Sequence, residues 1–166
     1  MEKKLDEIET LYQEVLEYLV YNNIIMIDTC SLMETGCELM IEKMCPFLKK
    51  YHKKIIVPLR VIEELRKHSI GEVSKRAAAR KGLEICQRLD RENCLSVKGN
   101  KHDHFADNTF YVQFARFRSR YHLMLITQDK DLSYDILQLN HLKSCSGNPV
   151  EVYKVLENGY LVPMEE

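Results

Sequence analysis

A chain of 166 residues and 19.6 kDa, 45% hydrophobic and 30% charged, carries enough apolar surface for one core and excludes disorder and low complexity. Its formal net charge of -1 gives no overall attraction to polyanions, so any surface that binds one must be local. No apolar stretch approaches the roughly 20 residues of a membrane span, and "MEKKLDEIE" lacks a signal-peptide core, which predicts a cytoplasmic location without membrane contact.

Residues 3 to 21 place Leu5, Ile8, Tyr12, Val15, Leu16 and Leu19 at three- and four-residue steps, the mark of an amphipathic helix that packs on the domain or on a partner chain. Ile24, Met26 and their neighbours form a continuous apolar run, as a fully buried strand does. A helix follows to about Tyr51, with a kink or break expected at Pro46. "KIIVP" reads as a second strand, and Pro58 suits the first turn of the helix after it. Gly71 separates that helix from a longer one ending near Asp90. "CLSVKG" and "HLMLIT" are strands three and four, with a helix between them and another over "KDLSYDILQLN". Strands alternating with helices predict an α/β fold with a mainly parallel sheet covered on both faces. The tail, "VEVYKVLENGYLVPM", turns at Asn158 and Gly159 and predicts a C-terminal β-hairpin.

Asp28 ends the first strand and is followed by Thr29, Cys30 and Ser31. An acid there faces the crevice where parallel sheets bind ligands, or it caps the helix that begins next, and the residues alone leave both readings open. Three more acids occupy comparable places: Glu64 one turn into the helix after strand two, Asp107 opening the helix after strand three, and Asp129 just past strand four. A parallel sheet brings all four to one edge. At roughly 5 Å and an effective dielectric of about 20, each ionised pair costs about 3 kcal/mol, so such a cluster must protonate or hold cations. Oxygen ligands suit Mg²⁺ or Mn²⁺, which ready a water and stabilise the leaving oxygen of a phosphodiester. Thr29, Ser31 and Thr127 would then be hydroxyls that hold the carboxylates in place.

Together "IDTCSL", "VPLRVIEELRKH", "ADNTF" and "LITQDKDL" resemble the PIN-domain nucleases in order and spacing over residues 24 to 140. The resemblance implies a three-layer α/β/α sandwich, with the helix of residues 1 to 22 and the hairpin of residues 149 to 164 outside the common core of a single domain 1 to 166. It also implies divalent-metal-dependent cleavage of RNA, with catalytic and metal-binding acids at Asp28, Glu64, Asp107 and Asp129. Asp131 is a further candidate ligand. A PIN-like RNA-binding or scaffold domain that cleaves nothing is the alternative. A phospho-acceptor receiver domain also has acids at strand ends, but it wants adjacent acids after its first strand, where Thr29 and Cys30 stand here.

Arg60, Arg66 and Lys67 lie on the helix of Glu64, and Lys75, Arg76, Arg80 and Lys81 on the next, a candidate track for the phosphates of single-stranded RNA. Arg116, Arg118 and Arg120 would extend it. His102, Asp103 and His104 lack third and fourth ligands at evident spacing and read as loop residues. Tyr111, Phe114 and Phe117 stand at helical spacing and read as core rather than as a base-stacking platform. Cys30, Cys37, Cys45, Cys86, Cys94 and Cys145 contain no C-x-x-C pair and predict reduced, mostly buried thiols. A toxin with a cognate antitoxin and a housekeeping RNA-processing enzyme look alike in this sequence, so the partner expectations are an RNA substrate and an antitoxin or other protein partner; a homodimer is a further expectation.

Overall fold

Four consecutive apolar residues make β1 (Ile24–Ile27), which lies at the centre of a six-stranded sheet and is hydrogen-bonded on both sides. The protein is described here by a computed structural model covering residues 1–99, 106–143 and 147–166. Before β1 runs α1 (Glu2–Asn22); after it come α2 (Thr29–Leu32), α3 (Cys37–Lys50), β2 (Ile55–Pro58), α4 (Leu59–Ile70), α5 (Val73–Arg91) and β3 (Leu95–Lys98). Then follow α6 (Ala106–Phe117), β4 (Leu123–Ile126), α7 (Lys130–Gln138), β5 (Glu151–Val155) and β6 (Leu161–Pro163).

The strand order is β3-β2-β1-β4-β5-β6, parallel throughout except for β6, which pairs antiparallel with β5 as the expected hairpin. Register is regular across the centre, Ile24 to Ile27 facing Leu123 to Ile126. From β1 the chain moves toward β2 and β3, then returns through α6 to β4 on the other side. Right-handed crossovers in opposite directions put their helices on opposite faces, which yields the three layers. The order therefore reverses between β1 and β4, and a crevice opens beyond their carboxyl ends.

Among the described residues Phe110 and Phe114 are the aromatic members of an otherwise aliphatic and sulfur-containing set of fully buried large side chains, while Tyr111, expected in the core, is 38% exposed. Burying one such side chain contributes roughly 1.5–3 kcal/mol. The break expected at Pro46 does not occur, for α3 is continuous from Cys37 to Lys50. An interior proline forfeits the bond to the carbonyl one turn back and crowds that carbonyl, at a cost of about 3 kcal/mol, and Met44, Cys45 and Leu48 pin that stretch to the core. Cys37, Cys45, Cys86 and Cys94 are buried thiols, and burial pushes Cys37 and Cys45 up to about 12. Cys145 lies outside the described residues.

The first helix packs on the rest of the chain. Leu16, Leu19 and Val20 are buried, and Lys43 and Lys50 of α3 pair with Glu9 at 2.9 Å and Glu17 at 2.6 Å. Tyr12 stacks on Tyr160 with ring centroids 4.2 Å apart, and the amide of Leu161 donates to its hydroxyl at 2.9 Å, so α1 is also tied to the hairpin. Leu5, Ile8, Leu11, Val15 and Tyr18 form a second apolar stripe on α1 that stays exposed. Among the described residues no helix is long and apolar enough to cross a membrane.

Candidate functional site

Asp28 continues β1 in extended geometry and then starts α2, so its carboxylate stands at the point where the strand order reverses. It is 5% exposed. One oxygen, Oδ1, accepts from the Ser31 amide at 2.9 Å, which is the helix cap; the other, Oδ2, accepts from the Thr127 hydroxyl at the end of β4. Capping and an inward-facing carboxylate are therefore two halves of one side chain. Burial pushes the Asp28 carboxyl above the ordinary aspartate range, the bonds from Thr127 and Ser31 pull it back, and the negative charge of Asp129 adds to the rise.

Asp129 is reached through the same threonine, whose Oγ1 accepts from the Asp129 amide at 3.0 Å. The Asp129 carboxylate caps α7, taking the amides of Asp131 at 2.9 Å and Leu132 at 3.1 Å on a single oxygen. Asp131 itself is exposed in the first turn. Glu64 comes in from α4, accepting from the Thr29 hydroxyl at 2.6 Å, whereas its neighbour Glu63 turns to Arg60 at 3.7 Å. Gly82 helps this closeness: a Cβ there would stand 2.9 Å from the Leu65 side chain and 3.1 Å from the Leu32 carbonyl, so α5 lies against both α4 and α2.

Thr29, Ser31 and Thr127 thus each touch or adjoin a carboxylate, Ser31 through its backbone amide, with its buried hydroxyl beside the same carboxyl. Asp107 belongs to the first turn of α6, and its side chain lies outside the described residues, as do His102, Asp103 and His104. Among the described residues no group of three or more His, Cys, Asp or Glu side chains is close enough to cage a metal ion. Neither Asp28 nor Asp129 has a lysine, arginine or histidine at ion-pair distance among those residues. Hard oxygen donors, mutual repulsion and no cationic partner fit Mg²⁺ or Mn²⁺, which needs only one or two carboxylates, with water and phosphate completing the shell.

The basic residues divide. Arg66, Lys67, Lys75 and Arg80 are exposed, whereas Lys81 pairs with Glu38 at 2.6 Å and Arg76 donates to the Gly71 carbonyl at 2.7 Å. Arg60 reaches Glu63 and has a buried Nε without a hydrogen-bond partner among the described residues. The expectation that Arg118 extends the track is corrected. It is 4% exposed, with its guanidinium turned onto the carbonyls of Leu139 and Gly147, where it ties α6 to the segment before β5.

Thr127→Val is expected to destabilise the metal-free protein by about 2 kcal/mol at pH 7, because a hydrogen bond to a charged acceptor is lost. The penalty should shrink in acid, where Asp28 is protonated and depends less on that donor. Urea unfolding of both proteins across pH 3 to 7 measures it; a pH-independent difference would show that Thr127 acts by packing alone.

The fold defines the class: a three-layer α/β/α sandwich around a mainly parallel sheet. The solved structure of the PIN domain endonuclease Utp24 matches with a TM-score of 0.55 over 84% of this chain and 89% of that one, at 16% sequence identity. The chain has a PIN-like fold. No protein-family model and no curated protein matches the sequence.

Proposed function

We propose that the protein is a divalent-metal-dependent endoribonuclease that cleaves single-stranded RNA at the edge bearing Asp28. The observation that carries this reading is the pairing of Asp28 and Asp129 through Thr127 at the strand-order reversal, with no cation to balance them among the described residues. Holding an ionised aspartate in a buried place opposed by a second acid costs stability, and functional sites are where proteins tolerate that cost. Asp28 and Asp129 would hold the ion; Glu64, steadied by Thr29, would face the same edge, and Asp107 is proposed as the fourth acid from its place at the start of α6. When bound, Mg²⁺ or Mn²⁺ lowers the pKa of a coordinated water and neutralises charge on the phosphate. The chain's own share is orientation, since Thr127 and the Ser31 amide fix both oxygens of Asp28. Arg66, Lys67, Lys75 and Arg80 would carry the strand's phosphates.

The non-cleaving RNA-binding or scaffold reading is favoured by one observation, the lack of a three-donor cluster among the described residues. A labelled single-stranded RNA incubated with the full chain and Mn²⁺, with and without EDTA, separates the two. Internal cuts that EDTA abolishes and that leave 5′-phosphate ends are expected. An intact strand that is nonetheless bound would establish the scaffold instead.

A further inference from the structure

The sheet face beneath α6 carries a groove of about 540 Å³. Ile24 and Met26 of β1, Ile56 of β2 and Leu123 of β4 form its floor, and Phe117 and Tyr121 its far wall. Pockets for small molecules and cofactors span roughly 300–1,000 Å³, so the space suits one ring system with its attachments.

Its position follows from strand alternation. Ile24, Met26 and Asp28 lie two residues apart and share one face of β1, as Leu123 and Thr127 share that face of β4. The bond from Thr127 to Asp28 confirms the shared face. The groove therefore runs along the sheet toward the carboxylate edge, and Asp28 stands about 7 Å beyond Met26 at roughly 3.3 Å per residue.

Two polar groups interrupt this lining. Gln113 projects from α6, half-buried, and Lys98 is exposed at the carboxyl end of β3. A lipid chain or an apolar peptide side chain has no use for either. A nucleotide uses all of it: a π face for the aromatic wall and apolar floor, a hydrogen-bonding edge for an amide that both donates and accepts, and an anionic phosphate for an ammonium at the rim.

We propose that this groove takes one unstacked base of the RNA strand, with its ring against Tyr121 and Phe117, its edge on the Gln113 amide and the adjoining phosphate at Lys98. The proposal rests on the ribonuclease reading for the presence of the strand and adds where the strand is gripped. The captured base would lie level with Ile24, four strand residues or roughly 13 Å from Asp28, and would set which phosphodiester further along the strand lies there. The base acts through position, so none of these residues is catalytic.

The test is an abasic scan on the full chain in EDTA, where binding is read without cleavage. Fluorescence anisotropy is measured for an end-labelled eight-nucleotide RNA and for its derivatives with one base removed at each position in turn. Removal at one position should weaken binding about tenfold, the loss of one stacked base, and removal elsewhere by much less. Gln113→Leu, close to isosteric, and Tyr121→Ala should each weaken the intact RNA and erase the positional penalty, with unchanged thermal melting. Lys98→Ala should lower the salt dependence by about one phosphate contact. Cleavage in Mn²⁺ with a flat abasic scan would overturn the groove and leave the nuclease reading standing. A positional penalty without cleavage would keep the groove and overturn the nuclease. No binding of any RNA in EDTA together with no cleavage in Mn²⁺ would overturn both, and no binding in EDTA with cleavage in Mn²⁺ would overturn the groove alone.

Discussion

Asp28→Asn is expected to lower metal-dependent RNA cleavage by at least about a hundredfold, since even groups behind a metal ligand cost 10- to 100-fold when changed. The metal-free variant should nevertheless melt no lower than wild type at pH 7. Asn accepts from the Ser31 amide as Asp does, and Asn caps helices equally well. What it discards is a carboxylate that burial holds above the ordinary aspartate value of 3.8. A raised folded-state value means that the native state binds the proton more tightly than the unfolded chain does. Asp28 therefore favours folding below pH 3.8, and that contribution is lost as the pH rises through its folded value. Removing the carboxylate removes this loss, so the variant's stability should fall less than that of wild type between pH 3.5 and 7. Mn²⁺ or Mg²⁺ should raise wild-type melting, by about 2.7 kcal/mol at a hundred times its dissociation constant, and raise the variant less. Equal metal-induced shifts, or equal cleavage by the two proteins, would remove Asp28 from the site and leave it a helix cap.

Gly36→Ala should cost about 3 kcal/mol, at the upper end for overpacking. A Cβ on residue 36 would stand 1.8 Å from the Leu156 carbonyl oxygen and 2.8 Å from its carbon, both backbone atoms that no rotamer change can move. The start of α3 and the turn after β5 touch main chain to main chain there. Gly159 completes the contact from the other side: it has φ +82°, and a Cβ would lie 2.7 Å from the Leu39 side chain. At about 2–4 °C per kcal/mol for a chain of this size, the melting midpoint should drop by about 6–12 °C. A urea midpoint that falls with an unchanged m-value would confirm a loss of stability without a change in the unfolding unit. A shift within 0.5 kcal/mol of wild type would show that the hairpin yields easily and is not seated on α3.

The elements were legible because their signals are local. An apolar run bounded by Asn23 and Asp28 made β1, Pro58 sat immediately before α4, and Gly159 marked the hairpin turn. At Pro46 the helix is not broken, since burial of Met44, Cys45 and Leu48 holds α3 together across the proline. The site was less legible for a physical reason. That Asp28 meets Thr127 depends on β1 and β4 being neighbours, which is a property of strand order and leaves no trace in the spacing of either motif. Ser31 stands out in the sequence for its hydroxyl, yet its amide also holds Asp28, and every residue has an amide. Arg118 looked like its exposed neighbours Arg116 and Arg120 and differs from them only by facing the carbonyls of Leu139 and Gly147. Lys98, Gln113 and Tyr121 were not singled out at all, because a groove between a sheet and a helix is written in no single segment.

The link between Asp28 and Thr127 spans 99 residues. At about 5–20 residues per second of synthesis, the first aspartate waits about 5–20 s for its threonine. Once β2 is made, β1 has it on one side and an open edge on the other for the rest of that interval, since all four of its pairings to β4 are still unmade. Contacts this distant in sequence close late and slowly. The nascent chain therefore exposes an apolar strand edge long before it can bring its two acids together, and a product truncated before residue 123 would retain the aggregation hazard without ever assembling the pair.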